Sequence, residues 1–211
     1  MTTFILYGIL LTAFALVAAK RFSALIGIFR LQAVFLAALA FLEAWKGGGI
    51  GIYVIAVLLL VVKGGVIPYL LVKILKEIGA SEDLGFFLSA QLSLLLAVIF
   101  AYLAWQFSGQ LFPGGVVLLK VAGTAAFTLL LVGLQIMIFR LKALAQIIGL
   151  LVMENGIFLL GIALAGGLPF LVEIAVFLDV FVSVMILGVF VYRINRLFTS
   201  IDVSRLNRLK G

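Results

Sequence analysis

Long apolar runs alternate along the sequence with short stretches of glycine, proline or charged residues. The runs approach or exceed the length of about 20 residues that a helix needs to cross the hydrocarbon core of a bilayer. Gly and Pro are the usual residues of tight connections, so the interruptions are interpreted as turns. The pattern predicts seven transmembrane helices, at residues 3–19, 23–45, 50–76, 84–107, 115–139, 142–165 and 169–192.

Composition supports a membrane protein. Of the 211 residues, 66% are hydrophobic and 11% are charged, with a mean hydropathy of +1.42. A soluble fold with this composition would leave a large apolar surface in water. We therefore expect an all-α polytopic membrane protein with about seven transmembrane helices.

The distribution of positive charge predicts the orientation of these helices. With seven spans, Lys46 is nearly alone on one side of the membrane. The other side carries Lys20, Arg21, Lys73, Lys76, Arg140, Lys142 and the arginines and lysine of a basic tail. The positive-inside rule then places the N-terminus outside and the C-terminus in the cytoplasm. Orientation and contact with lipid headgroups account for the net charge of +7, so no nucleic-acid partner is expected.

The chain contains no cysteine and no histidine. Iron–sulfur clusters are held by thiolates, zinc by Cys and His, and haem mostly by His, Met or Cys. We therefore expect no redox centre, metal site or other cofactor in this chain, and no catalytic residue.

Five ionisable residues inside the predicted spans are candidates for function. Lys63, Glu154 and Asp179 lie near the middle of their helices, Glu173 lies nearer the outer face, and Arg30 lies in the second helix. An ionised side chain at the bilayer centre costs about 2.5–3.5 kcal/mol on insertion scales, so each requires a reason. Carboxylates at this depth suit reversible proton binding. We predict a proton relay in which Glu154 and Asp179 exchange protons, Lys63 modulates them, and Glu173 and Arg30 belong to the same route.

Structural explanations for the same residues stay open. Lys63 could form a purely structural ion pair with Glu154 or Asp179. Arg30 and Glu173 could extend toward headgroups at the two faces. These alternatives predict that neutralising the side chains leaves function unchanged.

The third predicted helix should be interrupted just after its lysine. Gly64, Gly65 and Pro68 follow Lys63, and Pro68 removes a backbone donor and crowds the carbonyl of Gly64. Irregular backbone is tolerated at membrane depth only against protein or a wet cavity. We therefore expect a kink or local unwinding, with Lys63 facing the bundle or a partner subunit.

Two stretches carry a family resemblance: "RLKALAQIIGLLVMEN", a basic turn followed by I-G-L and then an acid and Asn, and "FLDVFVSVMILGVFVYR", an acid followed by an apolar half helix with a basic exit. They resemble the three-helix K subunit of bacterial complex I, called 4L in mitochondria. The whole chain, including its tail "SIDVSRLNRLKG", is similar to component E of hydrogenase-4-type complexes. Where K subunits place their first glutamate, this chain has Leu151, and Glu154 follows one helical turn later; the second acid corresponds to Asp179.

The resemblance implies a domain organisation and a function. Residues 1–110 would form a four-helix extension, and residues 111–211 a K-like three-helix module with a basic cytoplasmic tail. The chain would be a non-catalytic subunit of a hydrogenase or formate hydrogenlyase-type complex in a prokaryotic inner membrane, contributing to proton or sodium translocation. Its partners would be antiporter-like and quinone- or anchor-type membrane subunits, with the iron–sulfur clusters and the NiFe site in other chains.

Three other functions are compatible with the sequence. The chain could be the C subunit of a multisubunit cation/proton antiporter, which is also K-like. It could be a small-solute secondary transporter, which would require two related halves with interrupted helices at matching positions. It could also be a passive membrane scaffold.

Overall fold

The computed structural model describes residues 1–77, 83–85, 88–114 and 117–164, which are almost entirely helical. Among these residues, five apolar helical stretches are long enough to cross a membrane, and α1 is a shorter apolar helix of 17 residues. The predicted all-α fold is confirmed for this part of the chain, whereas the predicted span at 169–192 lies outside it. The helices are α1 (Thr2–Ala18), α2 (Phe22–Glu43), α3 (Gly49–Val61), α4 (Ile67–Glu77), α5 (Ala90–Leu111), α6 (Val117–Phe139) and α7 (Ala143–Leu164).

The connection between α2 and α3 is made by the glycine-rich stretch that the sequence marked as a turn. A kink at Ala44–Gly48 follows α2, and within it Gly47 has the non-helical φ of 111°. Residues other than glycine rarely adopt this positive φ. Gly47 therefore allows the chain to leave α2 and begin α3 within a few residues.

Helices α3 and α4 form one membrane-length stretch, Ile50–Lys76, interrupted by a π-helical turn at Val62–Val66. The N–H of Ile67 bonds to the carbonyl of Val62, five residues back. The turn lies directly before Pro68, whose nitrogen has no hydrogen to bond the carbonyl of Gly64. The predicted local unwinding is confirmed, and Lys63 lies inside it with no exposed surface.

The fourth predicted segment begins later than the hydrophobic pattern indicated. We predicted a helix over residues 84–107, but α5 covers Ala90–Leu111. The side chain of Ser89 accepts a bond from the N–H of Leu92 and caps the helix there. Before the cap, Leu84 is fully buried and is not part of a helix, and its N–H bonds to the carbonyl of Lys20. Leu84 therefore belongs to the core without being helical.

Helices α6 and α7 approach each other through glycines. A Cβ added at Gly133 would lie 2.6 Å from the carbonyl oxygen of Gly149 and 2.6 Å from the nitrogen of Met153. A Cβ at Gly156 would lie 2.7 Å from the carbonyl oxygen of Ala126. Small residues at such contacts are typical of helix pairs in membranes, where backbone proximity replaces the hydrophobic driving force. This contact fixes α7 against α6.

Helix α5 presents small side chains to the bundle and large ones outward. Its buried residues are Ser93, Ala97, Ala104 and Ser108. The amide of Gln135 donates to the carbonyl of Ser93 at 2.7 Å, and the hydroxyl of Ser108 donates to the carbonyl of Lys120 at 2.8 Å. These bonds join the two ends of α5 to α6. The exposed apolar side chains of α5 suit contact with lipid.

Arg140 joins α1 to the start of α7 at one end of the bundle. Its Nη2 atom donates to the carbonyls of Val17 and Ala19, at 2.8 and 2.9 Å. These carbonyls belong to the end of α1, where a helix leaves acceptors unsatisfied. Burial lowers the pKa of Arg140 to about 10, although the nearby negative charge of Asp83 opposes the shift. The guanidinium therefore stays protonated at neutral pH.

The two ends of the bundle differ in positive charge. The end that holds Arg140 also holds Lys20, Arg21, Lys142 and the end of α4 with Lys73 and Lys76. At the opposite end, Lys46 pairs with Glu43 at 2.7 Å, and Lys120 lies 4.0 Å from the ring centre of Trp105. The charge pattern of the sequence was read without Lys120; with it, this end carries two lysines among the described residues.

Candidate functional site

Lys63 and Glu154 form a buried ion pair inside the bundle. The Nζ atom of Lys63 lies 3.5 Å from Oε2 of Glu154, and the two side chains expose 0% and 3% of their surface. Lys63 is held by the π-helical turn between α3 and α4, and Glu154 lies near the middle of α7. The interrupted segment thus brings its cation to the acid of a helix about 90 residues away in sequence.

A neutral amide makes the shorter contact to the ammonium group. Lys63 Nζ donates to Oδ1 of Asn155 at 2.8 Å. Charge-assisted hydrogen bonds of N–H to oxygen typically measure about 2.7–2.9 Å, so the contact to Asn155 is a full hydrogen bond and the contact to Glu154 is longer. The ammonium group therefore lies between an amide that holds it and a carboxylate at ion-pair distance.

From Asn155 a chain of hydrogen bonds continues to the first helix. Nδ2 of Asn155 donates to Oε1 of Gln32 at 2.9 Å, and Nε2 of Gln32 donates to Oγ1 of Thr12 at 3.0 Å. The Thr12 hydroxyl donates to the carbonyl of Ile9 at 2.6 Å. All three side chains are buried, Asn155 and Gln32 completely. We call these residues, Lys63, Asn155, Gln32 and Thr12, the polar arm.

The polar arm runs across the bundle. Thr12 lies near the middle of α1, Gln32 near the middle of α2, and Asn155 near the middle of α7. These helices are long enough, or nearly long enough, to cross a membrane. Around the arm the core is apolar, with Ile9, Phe29 and Leu36 fully buried. Polar groups buried in such surroundings must be hydrogen-bonded to one another because neither lipid nor water satisfies them. The arm meets that requirement with bonds between three helices and the π-helical turn.

Of the three predicted relay residues that the structure describes, two lie together. Lys63 and Glu154 are paired, as the structural alternative and the relay both require. Arg30 is exposed on α2, two residues before the buried Gln32. Two residues correspond to about 200° of helix rotation, so Arg30 points away from the polar arm. Glu173 and Asp179 lie outside the described residues.

Sequence reasoning missed the neutral members of the arm. Gln32 and Asn155 stood beside candidates that we named, but only ionisable residues were weighed. The available signal was the presence of amide side chains in the middle of apolar helices, where each needs a partner. Thr12 carried a weaker signal because a threonine hydroxyl can bond a carbonyl of its own helix.

The site contains groups that can exchange protons and groups that can orient them. Lys63 and Glu154 change charge by gaining or losing a proton, whereas Asn155, Gln32 and Thr12 stay neutral. No cluster of metal-ligating acids, cysteines or histidines occurs among the residues that the structure describes. The arrangement is suited to proton binding and release at one carboxylate beside a fixed cation.

Comparison with known proteins gives one distant similarity that covers nearly the whole chain. No protein-family model matches the sequence, and no solved structure matches it. The chain is 28% identical over 207 residues to the "Uncharacterized protein Rv0085" of Mycobacterium tuberculosis. The matched region covers 96% of this chain and 93% of that protein, so the chain is similar to a bacterial protein of comparable length whose name assigns no function.

Proposed function

We propose that this chain is a membrane subunit of a complex-I-like respiratory or hydrogenase complex, and that it contributes to proton or sodium translocation coupled to redox chemistry in other subunits. In this role the chain holds no redox centre and catalyses no bond change itself. It supplies ionisable side chains that lie within the membrane, on the path of the translocated ion.

The observation that carries the proposal is the buried pair of Lys63 and Glu154, 3.5 Å apart. Removing two charges from water costs more than their attraction returns in most buried pairs, so stability alone is a weak reason to keep them. Ionisable groups inside membrane segments commonly mark ion paths. Glu154 is also the residue that corresponds to the first acid of the K-like motif, one helical turn displaced.

The alternatives differ in what they require of the fold. A secondary transporter built from two related halves needs an interrupted helix at a matching place in each half. The interruption in the first half is the π-helical turn at Lys63, whereas α6 and α7 are continuous α-helices within the described residues. The C subunit of a multisubunit cation/proton antiporter remains the second candidate, and it would also take part in ion translocation. The identity of copurified partners distinguishes it from a subunit of a respiratory or hydrogenase complex.

The proposal includes an orientation, with the N-terminus outside and the basic end in the cytoplasm. The chain has no cysteine, so single cysteines can report sidedness. Lys20→Cys and Gln110→Cys replace exposed residues at opposite ends of the bundle. In intact cells a membrane-impermeant maleimide is expected to label Gln110→Cys and to leave Lys20→Cys unlabelled until the membrane is opened. Labelling of Lys20→Cys from outside would reverse the orientation.

The functional test replaces Glu154 by Gln, which keeps size and hydrogen bonding but removes the titratable proton. The complex is extracted in mild detergent, its partners are identified, and it is reconstituted in vesicles. We expect assembly and redox turnover to persist while ion movement per turnover falls at least about tenfold, because a positioned proton-transfer group typically contributes a hundredfold or more.

Glu43→Gln is the matched control. Glu43 is a partly exposed glutamate near the outer end, paired with Lys46, and its replacement should leave ion movement near the wild-type value. Copurified iron–sulfur proteins would support the respiratory or hydrogenase complex, whereas antiporter subunits without them would favour the antiporter. Wild-type ion movement in Glu154→Gln would make Glu154 structural and would favour the scaffold.

A further inference from the structure

The direction of every hydrogen bond in the polar arm follows from its charged end. An ammonium group has three donors and no acceptor, so Lys63 must find an acceptor atom. Asn155 meets it with Oδ1 at 2.8 Å, which leaves the Nδ2 group of Asn155 as a donor. That donor requires an acceptor in turn, and Gln32 supplies Oε1 at 2.9 Å. The cation thereby fixes the orientation of both amides.

The same constraint reaches the end of the arm. With Oε1 of Gln32 accepting, Nε2 donates to the Thr12 hydroxyl at 3.0 Å. The hydroxyl then donates to the carbonyl of Ile9 at 2.6 Å. All four bonds run head to tail, and bonds arranged in this way strengthen one another. The negative ends of both amide dipoles face the ammonium group.

An arm of this composition orients charge but does not conduct protons. Side-chain amides neither gain nor release a proton near neutral pH, so a proton arriving at Asn155 has no titratable group to occupy. Lys63, however, has a long flexible side chain that loses much rotamer freedom when it is fixed. The arm supplies what fixes it: an oxygen at 2.8 Å that is itself held by two further residues on α2 and α1.

We infer that Gln32, supported by Thr12, is a positioning residue that holds Asn155, and through it Lys63, beside Glu154, and that no proton passes along this arm. The inference rests on the proposed function only in treating Glu154 as the ion-carrying group. Residues of α1 and α2 thereby influence Glu154 on α7 through the position of Lys63. Its primary test observes Lys63 directly.

The test uses the full chain, labelled with ¹⁵N-lysine and reconstituted in lipid bilayers, and follows the Nζ signal of Lys63 by NMR. The loss of one signal in Lys63→Met assigns it. Gln32→Met and Thr12→Val keep approximate size and remove hydrogen bonding, whereas Thr12→Ser keeps the hydroxyl. In Gln32→Met we expect the Lys63 signal to shift and its hydrogen exchange to accelerate at least about tenfold. Both effects should be smaller in Thr12→Val and absent in Thr12→Ser.

An unchanged Lys63 signal in folded Gln32→Met would overturn the inference and leave Gln32 a packing residue. If Gln32→Met does not fold, the pair Thr12→Val and Thr12→Ser decides by the same measurement, because both keep the shape of α1. Equal Lys63 signals in these two variants would then refute the role of the arm.

Ion movement in the reconstituted complex separates positioning from conduction. A positioning arm predicts that Thr12→Val moves ions more slowly than wild type but well above Glu154→Gln. A conducting arm predicts that ion movement stops equally in both variants. That result would overturn the statement that no proton passes along the arm. If the wild-type complex moves no ion, the proposed function fails, while the response of Lys63 to Gln32 and Thr12 still tests the positioning role.

Discussion

Replacing Lys63 by Met is expected to destabilise the protein by about 3–5 kcal/mol, because it removes one partner of a buried pair and leaves the other. Met has an unbranched side chain of similar length, so the packing of the π-helical turn should change little. Glu154 would lose the ammonium group at 3.5 Å, and Oδ1 of Asn155 would lose its donor at 2.8 Å. Thermal unfolding of the purified chain in lipid nanodiscs measures the loss.

Two further variants show whether the lost charge pair is the cause. In Lys63→Met/Glu154→Gln both charges are gone, so the double variant should be more stable than Lys63→Met alone. Lys76→Met makes the same change of charge at an exposed position on α4 of the same segment, and it should stay within about 0.5 kcal/mol of wild type. A double variant no more stable than Lys63→Met would show that the pair contributes nothing specific and that packing at Lys63 dominates.

The features that depend on one segment of sequence were predictable. Run length predicted the apolar helices of the described residues, and Pro68 with its neighbouring glycines predicted the interruption of the third segment. Because irregular backbone at membrane depth must lie against protein or a wet cavity, the same interruption predicted that Lys63 faces inward. Each of these follows from local chemistry, because helix length, a missing backbone donor and desolvation do not depend on which helix lies opposite.

The features that depend on helix rotation were not predictable. Arg30 and Gln32 are two residues apart, but one faces outward and the other is buried, and the apolar residues around both gave no indication of which face would be inside. The pairing of Lys63 with Glu154 likewise depends on packing between helices that are distant in sequence, which no local pattern reveals. The start of α5 also differed, because a hydrophobic pattern does not distinguish a buried non-helical residue, such as Leu84, from one in the first turn of a helix.

The contact that sets this rotation for α7 is its glycine interface with α6. Gly133 packs against the backbone of Gly149 and Met153, and Glu154 and Asn155 follow directly on the same helix. A side chain can rotate away from a crowding neighbour, but a backbone oxygen or nitrogen can yield only if the whole helix moves. The geometry of the candidate site is therefore coupled to the absence of a single methyl group on α6.

Gly133→Ala is accordingly expected to destabilise the protein by about 1–3 kcal/mol, as overpacking of a tight contact typically does. For a chain of this size each kcal/mol lowers the unfolding midpoint by roughly 2–4 °C. The change should also reduce ion movement, because separating α7 from α6 alters the position of Glu154 relative to Lys63. Unfolding in nanodiscs and ion movement in vesicles are the two measurements.

Gly27→Ala is the control, since a Cβ at Gly27 on α2 meets nothing within 4 Å. There the methyl group restricts the unfolded chain without a clash, so stability should be unchanged or should rise by about 0.4–1 kcal/mol. Wild-type stability in Gly133→Ala would mean that α6 and α7 are farther apart than the structure places them. Reduced stability with unchanged ion movement would instead show that the role proposed for Glu154 does not depend on the tight packing of α7 against α6.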